Sequence, residues 1–156
     1  MATIISSAPR GAFVAPTEVD SARRDAPLLE LTRATTLARV YRFAARLIVR
    51  NGHHQGDHVP DPFDRHLTTL HIDRPMSIVA AIRCAANGNP HVMSPFSELA
   101  VRELAHRLTV DGEGPFGETR LALETHVDGW GDVEGRTLES VVAVLEAAAD
   151  ASDVSA

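Results

Sequence analysis

From Leu28 to Arg50 the chain runs without a glycine or a proline, and this stretch constrains the fold more than any other feature. Leu37, Tyr41, Ala44, Leu47 and Ile48 recur at mostly three- and four-residue steps, which lays apolar side chains along one face of a helix. Asn51-Gly52 then supplies a residue free to take the left-handed conformation in which helices end. Asp25 is placed to cap the start with Pro27 in the first turn, and Thr35-Thr36 marks a candidate break.

The same punctuation predicts four more helices. A second starts at Pro75, with Ser77 or Asp73 near its cap, and runs through Ile78, Ala81, Ile82 and Ala85 to the stop at Asn87-Gly88-Asn89-Pro90. Ser94-Pro95 opens a third, with Glu98 in the first turn and Leu99, Val101, Leu104 and Leu108 as its buried face. After a turn containing Gly112, Gly114, Pro115 and Gly117, a fourth spans Glu118 to Val127 and uses Leu121, Leu123 and Val127. Thr137 caps the last, which carries Leu138, Val141, Val142 and Leu145 to Ala149. No alternating strand pattern of useful length occurs. The expected class is all-α: a compact helical domain over residues 27–150, preceded by a flexible arm (1–26) without sustained period and followed by a disordered tail (151–156).

Composition narrows the function. A chain of 156 residues suits a single domain, and an aromatic content of 4% leaves Leu, Val, Ile and Ala to build its core. No apolar run approaches the roughly 20 residues of a membrane helix, and the N-terminus lacks the apolar region of a secretion signal. Cys84, the only cysteine, excludes an internal disulfide framework, so cytoplasmic residence is the default expectation. All 15 basic residues are arginine. The absence of lysine excludes a P-loop lysine, a Schiff-base lysine and the ATP lysine of kinases. Charge divides along the chain: residues 1–50 hold eight Arg against four acids, residues 51–156 seven Arg against seventeen. An acidic body argues against general nucleic-acid binding, which rests on cationic contacts to phosphate.

Five of the eight histidines lie between residues 53 and 71. His53, His54, Asp57, His58, Asp61, Asp64, His66, His71 and Asp73 share a segment that contains Gly56, Pro60 and Pro62, which make it a long loop after the first helix. Imidazole and carboxylate bind divalent metals and move protons near neutral pH. His53, His54, Asp57 and His58 are the first ligand candidates for a divalent metal such as zinc, with His66 and Asp64 as alternatives. Solvent-exposed polar loop residues are the plainer account of the same stretch.

Arg39, Arg42, Arg46 and Arg50 form one stripe on the first helix at steps of three, four and four, roughly opposite its apolar face. The stripe suits an anionic partner surface, or else the acidic C-terminal half of the same chain. Cys84, between apolar neighbours, reads as a small core residue rather than a nucleophile. Trp130, in Asp128-Gly129-Trp130-Gly131-Asp132 before the last helix, reads as a packing wedge or as one wall of a pocket with Asp132 beside it.

Three of these features together resemble an uncharacterised family of small helical domains, of unknown function, from GC-rich bacteria and phages. They are Gly52-His53-His54-Gln55-Gly56 at the end of the first helix, the Ala80–Ala86 helix with Cys84, and Trp130-Gly131-Asp132 before Arg136-Thr137. The family often has Trp where this chain has His53, and usually Asn where it has Gly131. The resemblance implies a small helical fold and gives weight to Gln55, Trp130, Asp132 and Arg136 as pocket or structural residues; it implies no activity. No nucleophile–base pair or phosphate loop can be placed. The favoured expectation is therefore a non-catalytic binding or adaptor domain with a protein partner. A metal-binding domain or metal-dependent hydrolase built on loop 53–73 and a nucleic-acid-associated regulator using the Arg stripe are the alternatives.

Overall fold

Thr36 accepts a hydrogen bond from the Arg39 N–H and opens helix α1, Leu37–Asn51. The structure, a computed structural model, describes residues 36–60 and 69–155. The cap expected at Asp25, the arm 1–26, and Asp61, Asp64 and His66 lie outside these residues. Tyr41, Ala44, Leu47 and Ile48 are buried, as their spacing predicts, while Arg39, Arg46 and Arg50 are exposed. Gly52 ends the helix at φ 98°, ψ 156°, a backbone region that side-chain-bearing residues rarely enter. Its N–H reaches the Ile48 carbonyl at 2.8 Å.

Helix α2, Ile78–Asn87, is capped by the Ser77 hydroxyl and closed by Gly88 in the left-handed conformation. Ile78, Val79, Ala80, Ala81, Ile82, Cys84 and Ala85 are all fully buried. A helix that is apolar all round belongs at the centre of a core, and α2 packs against α1, α3 (Pro95–Ala105) and α4 (Arg120–Gly131). Ser94 and Ser97 cap α3 reciprocally, each side chain taking the other's backbone N–H. The hydroxyl of Tyr41 donates to the Ala100 carbonyl at 2.7 Å and ties α1 to α3. Helix α5, Leu138–Val154, starts at the Thr137 cap and makes the most extensive of the helix–helix contacts, with α1.

The fold is all-α, with five α-helices, a single 3-10 turn at His71–Asp73 and no strand among the described residues. None of these helices is long and apolar enough to cross a membrane. Several details differ from the sequence reading. Leu99 and Leu121, assigned to buried faces, are 41% and 72% exposed. Residues two apart point about 200° apart around a helix, so Leu99 cannot share a face with Val101, nor Leu121 with Leu123. Helix α4 begins at Arg120 and continues past Val127 to Gly131, which puts Trp130 on its last turn rather than in a loop. Helix α5 continues past Ala149 to Val154, through residues expected in a tail. No glycine or proline follows Gly135 to stop it, and alanine favours the extension.

Candidate functional site

Arg83 is the one charged residue within α2, and at 7% exposure it must find partners inside the protein. Its Nη2 donates to Glu124 Oε1 of α4, and its Nη1 lies 3.1 Å from His58 Nε2. Because a guanidinium only donates, Nε2 accepts, and the ring proton resides on Nδ1. That nitrogen stands 3.3 Å from both Asp128 Oδ2 and the Ser77 hydroxyl. Asp128 also accepts from Ser77 Oγ at 3.1 Å and, through Oδ1, from the Val79 N–H at 3.1 Å. Glu124 and Asp128, four residues apart on one face of α4, thus hold the start of α2 and the segment ending at His58.

Ser77, His58 and Asp128 have the residue types of a hydrolytic triad but not its wiring. A triad needs the serine on one imidazole nitrogen and the carboxylate on the other. Here both share Nδ1, Arg83 occupies Nε2, and the Ser77 oxygen accepts from the Ala80 N–H as a helix cap. The Ser77 hydroxyl is committed to Asp128 and to the helix cap, and the network acts as a clasp.

Beside it lies an open cleft of about 270 Å³ between α3 and α4. Pro95, Leu99, Val101 and Leu123 give it its apolar lining, and Glu98, Arg102, Arg120 and Glu124 its charged lining. Arg120 and Glu98 approach to 3.9 Å across the opening, and Glu124 joins the cleft to the clasp.

A second junction forms where α4 meets the segment after α1. Gln55 Nε2 donates to the carbonyls of Gly131 at 2.9 Å and Val133 at 3.4 Å, and the Gly56 N–H donates to Asp132 Oδ1 at 3.0 Å. Arg136 donates through Nε to the Trp130 carbonyl and stacks its guanidinium 3.7 Å from the indole centroid. Gln55, Trp130, Asp132 and Arg136 therefore meet in one place, with Trp130 packed partly buried against the core. His53 and Gly131 also meet: a Cβ built on Gly131 would stand 3.1 Å from His53 Nε2. Residues 32–151 match the model of a family described as a family of unknown function (DUF6197).

The chain belongs to the DUF6197 family. No match is found among curated proteins or among solved structures.

In this DUF6197 chain the residues of the histidine loop scatter. The His53 ring lies beside Gly131, the His58 ring joins the clasp, and Asp57 is exposed. The His54 N–H donates to the Met76 carbonyl at 3.0 Å, beside an isolated bridge from His53 to Met76. Among the described residues no three His, Cys, Asp or Glu side chains are placed to share a metal ion. The Arg stripe is partly consumed within the chain. Arg42 meets Glu146, Asp150 and Asp153 of α5, Arg50 meets Asp73 at 2.8 Å, and Arg46 lies over the Phe43 ring. Cys84 is buried, and burial pushes its thiol up to about 11, away from reactivity. Sequence reasoning missed Arg83, Glu124 and Asp128. The available signals were a lone charge inside an apolar helix and two acids four residues apart beside the Leu123/Val127 face.

Proposed function

We propose that this DUF6197 domain is a non-catalytic binding module that seats a short segment of a protein partner in the cleft between α3 and α4. The observation that carries this reading is the exposed Leu99, an apolar side chain lining the cleft on a helix whose Val101 and Leu104 are buried. Apolar side chains accompanied by charged ones are the usual makeup of a protein contact. The lining carries two acids and two bases, so it favours a segment with one apolar anchor flanked by both charges. Support also comes from the clasp, which fixes the α4 wall through Glu124 and Asp128 and so presents a rigid groove. The Arg stripe is the weaker contact surface, because Arg42 and Arg50 already have acidic partners.

The test is a photo-crosslinking residue at position 99, with Glu139 on α5 as the comparison position. A partner that crosslinks from 99 and not from 139 is then purified and its affinity measured directly. Replacement of Leu99 by Asp is expected to weaken that affinity by about tenfold or more, with the helical circular dichroism unchanged. Equal crosslinking from both positions, or an affinity indifferent to Leu99→Asp, would remove the cleft from consideration.

A further inference from the structure

Phe116, in the turn before α4, is 82% exposed, and Leu121 on the first turn of that helix is 72% exposed. The backbone holding the ring out is tied down on both sides. Val110 and Glu113 exchange two hydrogen bonds, at 2.9 and 3.0 Å, around Asp111 at φ 53° and Gly112 at φ 82°. That is a tight two-residue turn with both central residues at positive φ. After the ring, a Cβ built on Gly117 would stand 3.7 Å from Ala122 Cβ, and Glu118 meets His106 Nε2 at 3.2 Å. An apolar anchor presented on a fixed loop loses little freedom when it is covered.

The charges of this loop and of the α3–α4 cleft are complementary. Asp111, Glu113 and Glu118 are exposed, and no basic residue lies between Val110 and Thr119. In the cleft, Glu124 is already neutralised by the buried Arg83, and Glu98 faces Arg120 at 3.9 Å. Arg102 is exposed, and its guanidinium meets no acid among the described residues. The cleft therefore carries an unanswered positive charge beside the apolar Leu99, and the loop an unanswered negative charge beside Phe116.

We propose that the cleft's partner is a second copy of this chain: Phe116 of each copy enters the α3–α4 cleft of the other, and the acids beside it face Arg102 and Arg120. This rests on the reading of the cleft as a binding groove and names its occupant. A cleft of about 270 Å³ admits a phenyl ring, since a cavity of roughly 150 Å³ already holds benzene. Phe116 precedes Arg120 of the cleft wall by one turn of chain, so the inserting loop and the receiving cleft adjoin on one surface. A single two-fold axis then seats both rings at once, and the assembly closes as a dimer instead of growing as a chain. Two rings and their charged neighbours make a contact of the weak, reversible class, below about 1,200 Å².

The experiment is sedimentation velocity on the full chain from micromolar to millimolar concentration, joined to photo-crosslinking from position 116. The crosslinking chain is mixed with a heavy-isotope chain of ordinary sequence, so that a bond between copies differs in mass from one within a copy. A monomer–dimer equilibrium is expected, with crosslinks from position 116 to α3 of the heavy chain. Phe116→Ala should weaken association by about tenfold or more and leave the helical circular dichroism unchanged, because the ring is exposed in the single chain. Arg102→Glu should weaken it too, whereas Val154→Ala, at an 89% exposed side chain ending α5, should not. A monomer at every concentration, crosslinks confined to one copy, or association indifferent to both Phe116→Ala and Arg102→Glu would each overturn the second-copy proposal. The cleft reading is tested separately, by crosslinking from position 99 against position 139.

Discussion

His53 is half-buried beside Gly131, and its burial has a consequence in acid. Desolvation lowers its pKa below 6.5, although Asp132 and Asp128 draw it the other way and His54 reinforces the fall. The unfolded chain therefore takes up this proton at a higher pH than the folded one. Below 6.5 the unfolded state binds more protons, and stability declines until the folded-state pKa is passed. His91, also lowered, acts with the same sign. The urea midpoint should fall between about pH 7 and pH 5, and His53→Gln should flatten part of that fall. An unchanged slope in the variant would show that the histidine is not its source.

Among the elements, α4 separates two glycines that the sequence alone treats alike. A Cβ on Gly131 would meet Ile78 Cδ1 at 3.0 Å and His53 Nε2 at 3.1 Å, whereas one on Gly129 would meet nothing within 4 Å. Gly131→Ala is expected to cost about 1–3 kcal/mol through overpacking. Gly129→Ala should raise stability by up to about 1 kcal/mol through helix propensity. Urea denaturation of both variants reads the difference, and equal effects would refute the close packing of α4 on α2. This contrast also marks how far the sequence could be read. The caps Ser77, Ser94 and Thr137 and the stop at Gly52 carry local signals, so the number and order of the helices were legible. Leu99 and Leu121 were misassigned because apolar identity was counted without the helical phase. The clasp was illegible for a different reason: Arg83, Glu124 and Asp128 are distant in sequence and become partners only when α4 lies across the start of α2. Gln55, Trp130, Asp132 and Arg136 were picked out through the family resemblance, and their shared junction appeared only in three dimensions.

For the whole molecule, one core cluster runs through all five helices, from Ala38 to Ala149. Such continuity predicts a single cooperative unfolding transition. Trp130, the sole indole, reports on the α4–α5 junction, while far-ultraviolet circular dichroism reports on every helix. The two urea curves should coincide, and a separate earlier loss of the Trp130 signal would divide the molecule into two folding units. The charge imbalance along the chain is also resolved at this scale, since Arg42 of α1 sits among Glu146, Asp150 and Asp153 of α5. That same α1–α5 pairing, the most extensive between any two helices, joins the earliest of the five helices to the latest. During synthesis at the ribosome α1 emerges with its apolar face formed, and the helix that contacts it most extensively is translated after the other described helices. The side of α1 that α5 covers is thus a surface that a nascent-chain chaperone has long to hold.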